Sequence, residues 1–279
     1  MKPNLHWLAL SLMISIALLL LAGRGDAGGD KGPWQPTIPK DIYNELAKRE
    51  ADLVKDLLDG KTGDAAIHRA KFGAMFIAGL TMSAKDGKPD DYRATREVAL
   101  QLASTLSKKG QLAAAQKLAS LLPERGKADP KLEGMTITWG TYLQKSELMD
   151  HFGLKKKGGD GMHPDLQSNI RLKDALNGIE EKIRALAAKE LPSAGLKKEA
   201  KELELLGYHM AVTGSLTYFY APASKVGKKD PAEWRTLALQ MRDQSVNLAV
   251  AAKKTDAAGV LKASSSLYST CNQCHTVFK

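Results

Sequence analysis

The spacing of apolar residues in the last third of the chain constrains the fold most strongly. Leu172, Leu176, Ile179, Ile183 and Leu186 follow one another at alternating intervals of four and three residues. These intervals keep the five side chains on one face of an α-helix, and such a face is stable when it packs against other helices. The pattern therefore predicts a helix that belongs to a bundle.

Three further helices are predicted after this one. The first covers about residues 194 to 220. The second has a clear start, because Asp230 can cap it, Pro231 suits the first helical position and Glu233 can complete a reciprocal cap. The last helix can be capped by Thr255. These patterns predict an antiparallel four-helix bundle in the C-terminal part of the chain.

The N-terminal half carries a second set of helical patterns, between residues 40 and 122, with short joints near Gly60, Gly87 and Gly110. Runs of β-branched residues are scarce throughout the chain, which favours an all-α fold. The sequence Ala99 to Leu102 echoes Ala238 to Met241. Both a degenerate repeat and chance similarity between helices rich in Ala, Leu and Lys explain this likeness.

The first residues have the features of an export signal. Lys2 precedes an apolar stretch from Trp7 to Ala22, and small residues precede a cleavage site after Ala27. The apolar stretch is shorter than the ~20 residues that span a bilayer. We therefore expect residues 1–27 to be a secretory signal peptide and the mature protein to be periplasmic or otherwise exported.

The remaining segments divide the mature chain into two helical parts. Residues 28–39 contain Gly and Pro and predict a flexible leader, and residues 131–165 form an irregular connector rich in Gly and Lys. The connector separates a helical bundle over residues 40–130 from a second bundle over residues 166–279. This is the domain organisation that we expect.

The charge of the chain indicates the kind of partner it can bind. The 279 residues include 41 Lys and Arg and 31 Asp and Glu, a formal net charge of +10. The excess is spread along the chain and no nucleic-acid-binding motif accompanies it, so it predicts a solvated basic surface with a preference for acidic partners. We expect no nucleic acid among the partners.

The chemistry of the chain is concentrated in Cys271-Asn272-Gln273-Cys274-His275. The sequence C-x-x-C-H is the motif of covalent c-type haem attachment. On a helix the two cysteines and His275 lie at positions i, i+3 and i+4, which share one face. The motif therefore predicts one haem c per chain, held through thioethers to Cys271 and Cys274, with His275 as the proximal iron ligand.

Two other chemistries use similar residues. A zinc site would need a fourth ligand from a distant residue such as His209. A thioredoxin-like redox pair belongs at the start of a helix after a strand, whereas this pair lies near the end of the last helix of a chain without evident strands. The other candidate ligands are predicted to be core or surface residues: His68, His151, Met75, Met82 and Met241.

The chain resembles the cytochrome c′ family, the class II c-type cytochromes. The resemblance covers about residues 166–279 and rests on a four-helix pattern ending in Cys271 to His275, followed by Phe278 and Lys279. It implies a haem-carrying bundle in which Phe278 packs on the haem. The N-terminal half resembles at most a degenerate copy without haem.

The resemblance also implies where the second axial position of the iron lies. In that family this position faces the first helix of the bundle, where either an apolar residue or a Met is found. Leu172 and Leu176 are the apolar candidates for the distal wall. Met162 and His163 precede the helix, and Met162 is the candidate sixth ligand.

The sequence therefore predicts a non-enzymatic, exported c-type cytochrome that carries single electrons to and from redox partner proteins. Binding of a small diatomic gas such as NO or CO at a five-coordinate haem is the first alternative. A secreted helical scaffold with a structural haem is the second. A homodimer is compatible with all three functions.

Overall fold

The computed structural model describes five stretches of the chain and one isolated residue. Among these residues there are eight α-helices and no strand, so the predicted all-α class is confirmed for the described part of the chain. The described residues are 32–34, 38–60, 63–84, 92–122, 148 and 179–278.

Several predictions fall outside these ranges. They concern the signal peptide (residues 1–27), the connector (residues 131–165, apart from Leu148) and the three distal-site candidates Leu172, Leu176 and Met162. In the stretches that the structure does describe, no helix is both long enough and apolar enough to cross a membrane.

The N-terminal half contains the four helices that the sequence predicts, which we call the N-terminal helices. They are α1 (Lys40–Asp59), α2 (Asp64–Met82), α3 (Arg93–Leu106) and α4 (Leu112–Ala119). Helix α2 packs against both α1 and α3, and α4 packs against α3 and α1. Residues 69 to 81 of α2 are all buried, so this helix forms the centre of the N-terminal helices.

The C-terminal half contains four more helices, which we call the C-terminal helices. They are α5 (Ile179–Ala188), α6 (Ser193–Tyr218), α7 (Pro231–Lys253) and α8 (Ala257–Phe278). Helix α7 packs against α6 and α8, and α8 packs against α5. Ile179, Ile183 and Leu186 are each buried, so the part of the predicted seam that lies in α5 does face the core.

The structure confirms one predicted helix cap and contradicts another. Asp230 caps α7, because its carboxylate accepts a hydrogen bond of 2.8 Å from the backbone N–H of Ala232. The prediction that Thr255 caps α8 is wrong. Asp256 takes this role by accepting from the N–H of Gly259 at 3.0 Å, while Thr255 adopts a positive φ of 53° in the turn before it.

Two glycines allow α6 and α7 to approach closely. A Cβ atom added at Gly207 would lie 2.6 Å from the backbone N of Ala249 and the backbone O of Ser245. One added at Gly214 would lie 2.8 Å from the backbone N of Arg242. The backbones of the two helices therefore touch where a side chain would separate them.

The N-terminal and C-terminal helices share an interface in which α2 packs against α6. The rings of Phe76 and His209 stack there with their centroids 4.2 Å apart. Between α1 and α6, the guanidinium of Arg49 donates two hydrogen bonds to the carboxylate of Glu202, at 2.9 and 3.1 Å. The interface thus combines an aromatic stack with a half-buried, bidentate ion pair.

A short piece of the leader, residues 32–34, lies against the C-terminal helices. The carbonyl O of Gly32 accepts a hydrogen bond of 2.9 Å from the guanidinium of Arg242, and Ser215 donates to the carbonyl O of Pro33. The indole of Trp34 stacks on Phe219 with centroids 5.6 Å apart. This piece, which we call the leader strap, is therefore part of the packed structure.

Candidate cofactor site

The C-x-x-C-H motif occupies the last two turns of α8. Cys271 and Cys274 are partly buried, whereas His275 is exposed. All three side chains line the same cavity, which lies among the C-terminal helices. The predicted placement of the two cysteines and the histidine on one helix face is therefore present in the structure.

The walls of this cavity are mostly apolar and come from all four C-terminal helices. Its volume is about 200 Å³ and it is partly open to solvent. Apolar walls with a few convergent polar groups are typical of small-molecule and cofactor sites. Besides the three motif residues, the lining consists of Ile179, Glu180, Ile183, Met210, Thr217, Trp234, Leu237, Ala238, Met241, Tyr268 and Thr270.

Trp234 is held in the cavity wall from two sides. Its indole N–H donates a hydrogen bond of 2.7 Å to the carbonyl O of Thr217 in α6. The ring of Phe278 meets the indole edge-on, with centroids 5.0 Å apart. These contacts lock the start of α7 to the ends of α6 and α8, which is the end of the C-terminal helices where the motif lies.

The expectation that Phe278 packs on a haem stays a prediction. The side chain is buried against Trp234. Trp234 lines the cavity, so Phe278 supports the wall from behind. A ring in this position stabilises the wall of the cavity.

The environment of Cys271 disfavours its ionised form. Burial raises the pKa of the Cys271 thiol to about 12, and the negative charge of Glu180 and the neighbouring Cys274 act in the same direction. Only the thiolate is strongly nucleophilic, so a thiol in this environment reacts slowly. The folded chain therefore shields Cys271 from adventitious chemistry.

The donor set of two thiols and one imidazole fits what a c-type haem requires. Within the described ranges, no three side chains of His, Cys, Asp or Glu lie close enough together to hold a metal ion. A c-type haem does not need such a group, because the cysteines bond to its vinyl carbons and only one imidazole from the motif reaches the iron. Two thiols and one imidazole lining one apolar cavity satisfy that requirement.

The structure places His209 away from the motif. Its ring is buried and stacks on Phe76, at the interface with the N-terminal helices. His209 is therefore a core residue, away from the cysteines that a zinc site would need beside it. Its neighbour Met210 lines the cavity, because consecutive residues of a helix point about 100° apart.

Two methionines that line the cavity were not among the predicted site residues. Met241 was predicted to be a core residue and Met210 was not singled out, yet both contribute to the cavity wall. The spacing carried a usable signal, because Met241 follows Trp234 by seven residues and Leu237 by four, which places all three on one face of α7. Met75 is buried, as predicted.

Comparisons with known proteins gave no match. No protein-family model, no curated protein and no solved structure matches this chain. The motif and the cavity beside it are therefore the two features of the chain that bear on its function.

Proposed function

We propose that this protein is an exported c-type cytochrome that transfers single electrons through one haem. The supporting observation is that the three residues of a haem-attachment motif line one apolar cavity at the end of a set of four packed helices. Chance would rarely combine a motif of this kind with a cavity whose walls suit a flat, apolar group.

Each motif residue has a separate role in this proposal. Cys271 and Cys274 would fix the macrocycle through thioether bonds, and His275 would bind the iron on the proximal side. A bound haem would supply a redox centre that accepts and releases one electron. The protein sets the potential of such a centre through the axial ligand, burial and nearby hydrogen bonds and charges.

The cavity walls support this role in two ways. Trp234, Leu237 and Met241 form an apolar wall that would keep water away from a bound haem. An apolar environment favours the ferrous over the ferric state, because the ferrous state carries less charge, and it would thereby raise the reduction potential. The volume of about 200 Å³ is smaller than the ~300–1,000 Å³ typical of ligand pockets. The cavity is also partly open to solvent, so a redox partner could approach a group bound there.

The proposal is tested by producing the full chain in a strain that attaches c-type haem. We expect the denatured mature protein to have the mass of the polypeptide plus one haem, and Cys271→Ala with Cys274→Ala to have the mass of the polypeptide alone. The native protein should show a Soret band that responds to reduction. A mass equal to the bare polypeptide would disprove the proposal.

The role of His275 is tested separately, because the thioethers and the axial bond are independent. His275→Ala should keep covalent haem where attachment still occurs, but its absorbance spectra in both redox states should change. His68→Ala provides the control, since this histidine is exposed on α2 among the N-terminal helices. Spectra of His275→Ala that equal those of the control would exclude His275 as the ligand.

A further inference from the structure

The loop between α6 and α7 carries an exposed apolar side chain on a rigid turn. The N–H of Val226 donates to the carbonyl O of Lys229 at 3.2 Å, and the N–H of Lys229 donates to the carbonyl O of Val226 at 3.0 Å. Gly227 has a φ of +59°, which suits the first central position of a two-residue hairpin turn. The turn therefore holds Val226 in a fixed position, although 67% of its surface is exposed.

Three lysines lie next to Val226 in the sequence of this loop. Lys225, Lys228 and Lys229 are all exposed, and Lys225 forms an ion pair of 3.1 Å with Asp230, which also caps α7. Further along α7, the exposed carboxylate of Glu233 lies two residues before the exposed guanidinium of Arg235. The positive charges of Lys228 and Lys229 thus give the turn a net basic character, and we call Val226 with these three lysines the basic turn.

The topology places the basic turn beside the candidate cofactor site. Its loop leaves α6 just after Thr217 and enters α7 just before Trp234, and both of these residues line the cavity. The C-x-x-C-H motif ends α8 at the same end of the C-terminal helices, where Phe278 contacts Trp234. A protein bound at the basic turn would therefore approach the mouth of the cavity.

We propose that the basic turn is the docking site for an acidic redox partner protein. This inference rests on the proposed electron-transfer function. Interfaces between redox proteins are small, and charges around an apolar contact steer the partner and set its orientation. A single exposed valine with exposed lysines before and after it in the loop matches that pattern, whereas a membrane surface is usually bound through a larger apolar face.

The test measures electron transfer from a reduced acidic flavodoxin, used as a probe, to the holoprotein by stopped flow. We expect Lys228→Glu with Lys229→Glu to lower the second-order rate by about fivefold or more at an ionic strength of ~0.1 M, where charges more than ~10 Å from the contact are screened. Lys197→Glu with Lys198→Glu makes the same change in net charge near the start of α6, at the opposite end of the C-terminal helices. This control should have a rate close to that of the unaltered protein.

The apolar part of the contact is tested with Val226→Asn. This variant should lower the rate without changing its dependence on ionic strength. Val250→Asn is the control, because Val250 is 38% exposed near the far end of α7. If Lys228→Glu with Lys229→Glu and Val226→Asn each react at the same rate as their controls, docking at the basic turn is disproved. The haem and its spectra would be unaffected by that result.

Two other results would also overturn the docking proposal. If the basic turn binds vesicles of phosphatidylglycerol and its lysine variant changes only that binding, the surface serves a membrane. If the purified chain carries no covalent haem, the electron-transfer proposal fails first and docking fails with it. Mass and absorbance, measured before the kinetics, distinguish this last case from the others.

Discussion

The side chains of the motif meet different surroundings although they lie within two turns of one helix. The Cys271 thiol is partly buried beside Glu180, and its pKa rises to about 12. The His275 imidazole is exposed at the mouth of the cavity. Before the proposed haem is attached, a folded chain would therefore present the His275 imidazole to solvent while the Cys271 thiol stays protonated. Attachment should be fastest before α8 has packed.

This difference predicts the reactivity of Cys271 in the haem-free chain. At pH 8, a pKa of about 12 in place of the model-compound value of 9.0 reduces the thiolate fraction by about a thousandfold. We expect iodoacetamide to modify Cys271 of folded, haem-free Cys274→Ser at least ~10-fold more slowly than the same chain in urea. Mass spectrometry of the peptide gives both rates. Equal rates would show that Cys271 is accessible in the folded chain.

Sequence patterns revealed the residues that form the motif but only part of their surroundings. The spacing of Cys271, Cys274 and His275 fixes a shared helix face, because it depends only on the geometry of one helix. Met210 and Met241 face the same cavity from two other helices, and that relation depends on how α6 and α7 are rotated about their axes. The rotation of each helix is set by how its side-chain ridges pack into the grooves of its neighbour. The pattern of a single helix therefore does not determine the rotation.

At the scale of helices, the contact between α6 and α7 depends on having no side chain at Gly207 and Gly214. A helix interior normally disfavours glycine by about 1 kcal/mol relative to alanine. Here the backbone of α7 occupies the space that a Cβ would need. The gain in packing therefore outweighs the poorer helix propensity.

We predict that Gly207→Ala lowers the free energy of unfolding by about 2 kcal/mol, because α6 and α7 must separate to admit the methyl group. Gly195→Ala in the first turn of α6 is the matched control. Its added Cβ would meet only the Pro192 side chain, at 4.0 Å, so this variant should be neutral or more stable. Urea unfolding followed by circular dichroism measures both. A Gly207→Ala protein as stable as the control would refute the close approach.

Helix α5, which contributes Ile179 and Ile183 to the cavity, is tied to α6 by a buried ion pair. The ammonium of Lys182 has no exposed surface and lies 2.7 Å from the carboxylate of Glu199. Burial lowers the pKa of Lys182 below its ordinary value of 10.5, although Glu199 acts in the opposite direction. Since the folded state holds this proton less tightly than the unfolded chain does, the contribution of Lys182 to stability should increase as the pH rises towards 10.5.

We predict that Glu199→Gln lowers the free energy of unfolding by about 2 kcal/mol at pH 7, because it leaves the Lys182 charge buried without its counterion. Adding Lys182→Met should restore most of the loss, since an apolar side chain of similar length needs no counterion. Thermal unfolding of the two variants and the unaltered protein gives the comparison. A double variant that is less stable than Glu199→Gln would contradict this account.

The start of α8 shows why helix ends are harder to predict than helix interiors. The sequence Thr255-Asp256 offers two adjacent capping residues, and propensity alone separates them poorly. The backbone N–H groups of Thr255 and Asp256 donate to the carbonyl oxygens of Ala252 and Ala251 at the end of α7. This turn places Thr255 at a positive φ and leaves Asp256 to cap α8.

The N-terminal and C-terminal helices pack against each other through α2 and α6. The sequence predicted two bundles because each half has complete helical seams. Patterns within one half could not reveal that Phe76 and His209 stack across the interface, since the contact depends on residues more than a hundred positions apart. The unbroken apolar run from Phe72 to Leu80 in α2 is the sequence signal of this packing, because a helix segment that is apolar on all sides is buried by neighbours on all sides.

We predict that the two halves of the protein, with the proposed haem bound, unfold together. Phe76→Ala should lower the free energy of unfolding by about 3 kcal/mol, because it removes a buried ring. The Soret band reports on the C-terminal helices and far-ultraviolet circular dichroism on all helices, so both signals should shift to the same lower urea concentration. Leu121→Ala, at a side chain that is 40% exposed, should leave both midpoints unchanged. If the urea midpoint of the Soret signal is unchanged in Phe76→Ala, the two halves unfold independently.

The leader strap limits where the N-terminus of the working protein can be trimmed. Gly32, Pro33 and Trp34 contact Arg242, Ser215 and Phe219, and Arg242 is almost fully buried. A protease that removed these residues would uncover the Arg242 guanidinium and one face of Phe219. Cleavage after Ala27, as the sequence predicts, leaves the strap intact with four residues to spare. A purification tag placed at the N-terminus should therefore be joined ahead of Gly32, and its cleavage site should not extend into the strap.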